Sequence, residues 1–164
     1  MSVFHAEAIE RAQQYANRKG RTLRDQLGAG YDGIVFATNY QTAIKALRHR
    51  ELYERERNVY WRLRNYEVDQ VLGFAVPRLV AWDDKLWVIE LEIVSPPFVL
   101  DFAGAALDEP PQWPAEKRAE WEAEKMEQFE DKWPTVRQLI AAFRCWGIYL
   151  ADVKPGNVAF PDES

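Results

Sequence analysis

Apolar residues recur at helical spacing from the start of this chain, at Phe4, Ala8, Ala12 and Tyr15. That spacing predicts a helix over 3–19, with Gly20 as the residue that takes up the left-handed turn ending it. The period then shortens. Thr22–Leu27, Ile34–Ala37 and Thr42–Leu47 read as strands, and Asn39-Tyr40-Gln41 as the turn that joins the last two into a hairpin. Helical spacing returns over Arg50–Tyr66, where Leu52, Val59, Tyr60 and Leu63 stand among strong helix formers. Leu79–Trp82 and Leu86–Val94 form a second antiparallel pair turned at Asp83-Asp84. Ser95-Pro96-Pro97 closes it, because proline has no amide for a ladder.

Beyond that point the pattern turns helical. Phe98–Leu107 is expected to be a short helix or turn, and Asp108–Pro114 a proline-rich linker. The segment 114–132 is highly charged, but Trp113, Trp121, Phe129 and Trp133 share one helical side, so it reads as a solvated helix with a single docking stripe. Pro134 restarts a helix that runs to Trp146 and stops before Gly147. Ile148–Phe160 reads as loop and short strand. Strands dominate the first part and helices the second, which predicts an α+β fold in two small lobes. The expected division of this single domain is a helix over 1–20, a strand-rich lobe over 21–94 and a reduced helical lobe over 95–164.

Composition narrows the function classes. With 164 residues, 48% apolar and 29% charged, the chain is globular and long enough for a real core. A net charge of -5 and a pI near 5.2 argue against attraction to nucleic acid or anionic lipid. No apolar stretch approaches the ~20 residues of a membrane span. Met1-Ser2-Val3-Phe4-His5 lacks the basic start of a signal peptide, and Cys145 is the single cysteine. Both point to a reducing, cytoplasmic setting. Two histidines and one cysteine make no zinc site. Seven tryptophans read as core rather than as a platform for bases.

Four constellations carry chemistry. Gly28, Gly30 and Gly33 lie in a Gly-x-Gly-x-x-Gly run followed by a strand pattern. A turn of that kind brings backbone amides close to phosphate oxygens. Lys45 ends Thr42-Ala43-Ile44-Lys45, and alternation puts it with Ala43 on the side facing that turn. Glu56 shares the inward side of the following helix with Val59, Tyr60 and Leu63, whereas Glu54 points elsewhere. An inward acid needs a partner, and Lys45 is the candidate. Last comes Asp152-Val153-Lys154-Pro155-Gly156-Asn157, with an acid, a lysine two residues on and an asparagine five residues on.

In this order the four resemble the protein-kinase-like superfamily, over about Leu23–Phe160. The resemblance implies a five-stranded antiparallel sheet with one helix behind it, above a reduced helical lobe. It implies that Gly28, Gly30 and Gly33 cover the phosphates of ATP and that Lys45 pairs with Glu56 and the nucleotide. Leu91-Glu92-Ile93-Val94 resembles the hinge, with the backbone of Glu92 and Val94 meeting the adenine edge. Asp152 would be the base, Lys154 would contact the γ-phosphate and Asn157 would ligate Mg²⁺.

Three departures shape the functional expectation. Leu150-Ala151 stands where the family has His-Arg. The Asp-Phe-Gly segment that should follow Asn157 with a second metal-binding acid is absent, leaving only Asp162 and Glu163 downstream. The activation loop and later helices are missing too. The expectation is a truncated kinase-like, pseudokinase-type module that binds nucleotide and transfers phosphate weakly or not at all. A protein partner or a second copy would cover its reduced lobe. The alternative is an active small kinase using ATP and Mg²⁺. A third reading has Tyr31 folding into the nucleotide space and closing it.

Overall fold

The computed structural model describes residues 2–102, 104–151 and 153–161. Helix α1 (Val3–Lys19) starts where Ser2 Oγ accepts the His5 amide at 3.4 Å. It ends at Gly20, whose φ of 69° suits a residue without Cβ. Three strands follow, β1 (Leu23–Ala29), β2 (Gly33–Thr38) and β3 (Thr42–Leu47), then α2 (Arg50–Asn65). A small hairpin, β4 (Gln70–Val71) and β5 (Phe74–Ala75), precedes β6 (Leu79–Asp83) and β7 (Val88–Glu92). The main sheet has the order β1-β2-β3-β7-β6 and is antiparallel throughout. The fold is thus the expected α+β arrangement of a five-stranded antiparallel sheet with helices, and Lys45 lies on its central strand.

Alternation along the strands gives the sheet two working faces. Ile34, Ile44, Ala46 and Val88 pack against Ala8, Ala12, Tyr15 and Ala16 of α1. Alanines at that spacing let the helix lie close to the sheet. The other face presents Val35, Ala43, Lys45 and Leu91 to a cleft. The α1 interface also holds a buried polar network that no sequence pattern announces. Glu90 accepts hydrogen bonds from Tyr15 Oη at 2.9 Å, Arg21 Nε at 3.0 Å and Thr42 Oγ1 at 2.6 Å. Burial works against its charge, but these donors outweigh burial and hold its pKa below the ordinary value.

The second part departs from expectation at 98–107. No helix forms there among the described residues; instead β8 (Phe98–Val99) and β9 (Ala106–Leu107) are short strands. Then come α3 (Ala115–Phe129), α4 (Trp133–Phe143), β10 (Ile148–Tyr149) and β11 (Val158–Ala159). β8 runs parallel to β5 and antiparallel to β11, and β9 pairs with β10. These partners lie far away in the chain, so local spacing could not reveal the strands.

The aromatic stripe of α3 docks as expected. Trp113 and Trp121 rings sit 5.9 Å apart, Trp121 and Trp133 6.0 Å, and Phe129 and Trp133 6.2 Å. No helix among the described residues is long and apolar enough to cross a membrane.

Candidate functional site

Lys45 sits on β3 between Val35 of β2 and Ile89 of β7. Helix α2 turns Tyr53, Glu56, Val59, Tyr60 and Leu63 inward and leaves Glu54 exposed. Lys45 Nζ therefore meets Glu56 Oε1 at 2.8 Å and Oε2 at 2.9 Å, both side chains being nearly buried. Burial pushes the Glu56 carboxyl up to about 7, against the pull of Lys45. Burial opposes the Lys45 charge as well, but Glu56 and Asp101 more than offset it and its pKa is raised.

A third group joins this pair. Asp101 Oδ1 lies 3.3 Å from Lys45 Nζ, and its side chain keeps 28% of its surface open. The backbone at Asp101 is left-handed, with φ 65°. Its amide donates to Tyr60 Oη at 3.3 Å. The next residue, Phe102, is buried with its ring 5.0 Å from Tyr60 and 5.4 Å from Phe143. Residues of α2 and α4 thus clamp the turn that aims Asp101.

The asparagine loop reaches the same place from the other side. Lys154 is exposed, Val153 is buried, and the Asn157 amide closes a tight turn onto the Lys154 carbonyl at 2.9 Å. Antiparallel pairing matches Val158 with Val99, and the Leu100 amide donates to the Asn157 carbonyl at 2.9 Å. Asn157 thus lies opposite Leu100 across the paired strands, with Asp101 one residue further along. The Trp121 indole donates to the Ala151 carbonyl at 2.8 Å, which fixes the approach to the loop. Asp152 itself lies outside the described residues, as do Asp162 and Glu163.

All these groups border one cleft of about 750 Å³. Its roof is the β1–β2 hairpin with Gly28, Gly30 and Gly33, and its back is the stretch from Leu91 to Val94. Its floor holds Lys45, Glu56, Asp101, Lys154 and Asn157. Gly33 is needed by the sheet as well, because a Cβ there would overlap the Ala46 carbonyl oxygen. Along that stretch the Glu92 amide donates to the Arg78 carbonyl at 2.9 Å, so the main-chain group Glu92 can offer a ligand is its carbonyl. Tyr31 does not close the space. It is exposed, with the Arg48 guanidinium 4.5 Å from its ring centre and 4.0 Å from that of Phe4. The hairpin tip is tied to α1 a second time, where His5 Nε2 lies 3.0 Å from the Gly30 carbonyl oxygen.

Sequence reasoning placed Lys45, Glu56, Lys154, Asn157, the glycines and the hinge, and the structure gathers them around one space. It missed Asp101. The signal was present: an apolar run, Phe98-Val99-Leu100, ends in Asp101-Phe102 with Gly104 close behind. The resemblance directs attention to acids after Asn157, whereas Asp101 precedes it.

No family model matches this chain, and no curated protein matches its sequence. Solved structures similar to it include two complexes. One is the gentamicin-APH(2")-IIa complex, at TM-score 0.44 and 19% identity, over 80% of this chain and 39% of that one. The other is the streptomycin-ATP-APH(2")-IIa ternary complex, at TM-score 0.40 and 22% identity, over 52% of this chain and 28% of that one. The chain thus spans well under half the length of either, and likeness at this level says nothing of its substrate.

Proposed function

We propose that this chain binds ATP in the cleft and passes its γ-phosphate to a hydroxyl acceptor. The observation that supports this best is the Lys45–Glu56 contact on the cleft floor. A lysine held by two carboxylate oxygens keeps its charge and its position, and phosphate transfer depends mainly on positioned charge. The glycine hairpin lies above, so backbone amides and Lys45 would share the phosphates. Adenine would sit against the Glu92 carbonyl and the Val94 backbone.

The acceptor oxygen would attack the γ-phosphorus while the bond to the β–γ bridging oxygen breaks. The acceptor proton passes to the Asp152 carboxylate, ADP leaves with the bridging oxygen, and Lys154 neutralises the group in flight. The leading expectation from the sequence, nucleotide binding with weak or no transfer, rests on the lack of a second acid. Asp101 in the cleft favours transfer.

The test is calorimetric titration with ATP of the wild type and of Lys45→Met, with folding checked by thermal melts. Saturable binding that weakens at least tenfold in the folded variant supports the reading. No binding by the folded wild type overturns it. Binding without ADP formation, over a panel of small-molecule and protein hydroxyl acceptors, leaves the module that binds and does not transfer.

A further inference from the structure

The phosphates of ATP bring far more negative charge into this cleft than Lys45 and Lys154 carry. Lys45 is also matched already, since Glu56 takes it with both oxygens at 2.8 and 2.9 Å. A second carboxylate, that of Asp101, lies 3.3 Å from the same lysine and adds acidic oxygen to the cleft. That is a poor arrangement for a bare polyanion and a good one for a polyanion that arrives with a cation. The fold also goes to some length to place the acid. Asp101 adopts φ 65°, a region costly for a residue with a side chain, and Tyr60 and Phe102 hold it there.

We propose that Asp101 and Asn157 together ligate the divalent cation carried by the nucleotide, with Asp101, upstream of Asn157 in the chain, as the charged ligand. This rests on the nucleotide reading above. The donor set fits a hard cation such as Mg²⁺, because both groups offer oxygen, one charged and one neutral. Two side chains make no complete cage. Among the described residues no group of three or more His, Cys, Asp and Glu could hold an ion unaided. The ion therefore enters with the phosphates as its other ligands, which is the ordinary habit of Mg²⁺. When bound it neutralises developing charge on the phosphates. The proximity comes from the β8–β11 pairing and the Leu100 amide to Asn157 carbonyl bond. The two residues also border a second, water-sized hollow of about 10 Å³ beside the main cleft.

The test separates metal from nucleotide. ATP is titrated into the wild type and Asp101→Asn, in EDTA and in Mg²⁺. In the wild type Mg²⁺ should tighten ATP at least tenfold. In Asp101→Asn that gain should fall below about threefold, while ATP in EDTA binds as well as before or better, because a repelling carboxylate is gone. Mn²⁺ offers a readout on the wild type alone, independent of any variant's folding. With ATP bound, it should broaden the amide resonances of Leu100–Phe102 and Asn157 before those of the hinge. A full Mg²⁺ gain in folded Asp101→Asn, or broadening centred away from 100–102 and 157, overturns the assignment and leaves the nucleotide reading standing. ATP binding in the wild type that is indifferent to Mg²⁺ does the same. No ATP binding under either condition overturns both.

Discussion

Glu56 shows what a single buried acid does to the pH behaviour of this chain. Its carboxyl is raised to about 7 from an ordinary 4.5, first by burial and then by the nearby Asp101, against the pull of Lys45. Between those values the folded chain holds a proton that the unfolded chain has released. Stability therefore falls as pH rises from about 4.5 to 7, and levels off above. Lys45, whose pKa is raised, stays charged in both states across that window and does not change the sign. In Glu56→Gln the slope should vanish. Thermal melts at pH 5 and 7.5 should show the wild type losing ground to the variant as pH rises. A wild type that gains ground instead would show Glu56 to be fully ionised by its lysine.

Glu56 also shows what a sequence can disclose at this scale. An acid on the inward side of an amphipathic helix requires a partner, and the right lysine was within reach of the pattern. Glu90 gave no such hint. It sits in an apolar strand, and its donors come from α1, from Arg21 and from β3. Only the packing of α1 on the sheet brings them together.

At the scale of elements, α2 is fastened at two places along its length. Near its start Glu56 grips Lys45. Near its end Arg62 takes both oxygens of Asp108, at 2.8 and 3.1 Å, and the Trp146 carbonyl at 3.2 Å. Gly147 makes room for this second fastening. Its φ is 70°, and a Cβ there would lie 2.9 Å from both Arg62 Nη1 and Asp108 Oδ1. Gly147→Ala should cost about 1–3 kcal/mol from backbone strain, the flexible ends of Arg62 and Asp108 yielding at little further cost. Urea unfolding measures the loss, and an unchanged midpoint would show that the joint is slack. The sequence disclosed Gly147 as a helix stop, because the helical pattern ends there. It did not disclose the Arg62–Asp108 joint, since neither residue is marked by spacing or type. Long elements were legible for the same reason that the two-residue strands were not. α1, α2 and α4 carry their own periodicity, whereas β8 and β9 exist only because distant partners complete them.

At the scale of the whole molecule, the sheet core and the cleft floor have different contact ranges. β1, β2 and β3 pair with near neighbours. Asp101 and Asn157 come to line one cleft only after α3 and α4 have been laid between them and β11 has found β8. Closing so long a loop for a two-residue pairing is entropically costly and slow compared with forming a hairpin. Assembly in time should follow that difference. After dilution from denaturant, far-ultraviolet circular dichroism from the helices and sheet should recover first. Binding of a fluorescent ATP analogue should recover in a later phase, and a coincident recovery would argue that the lobes form together. A chain in this interval has its walls and no floor charge beside Asn157, so ligand competence would be the last property it acquires.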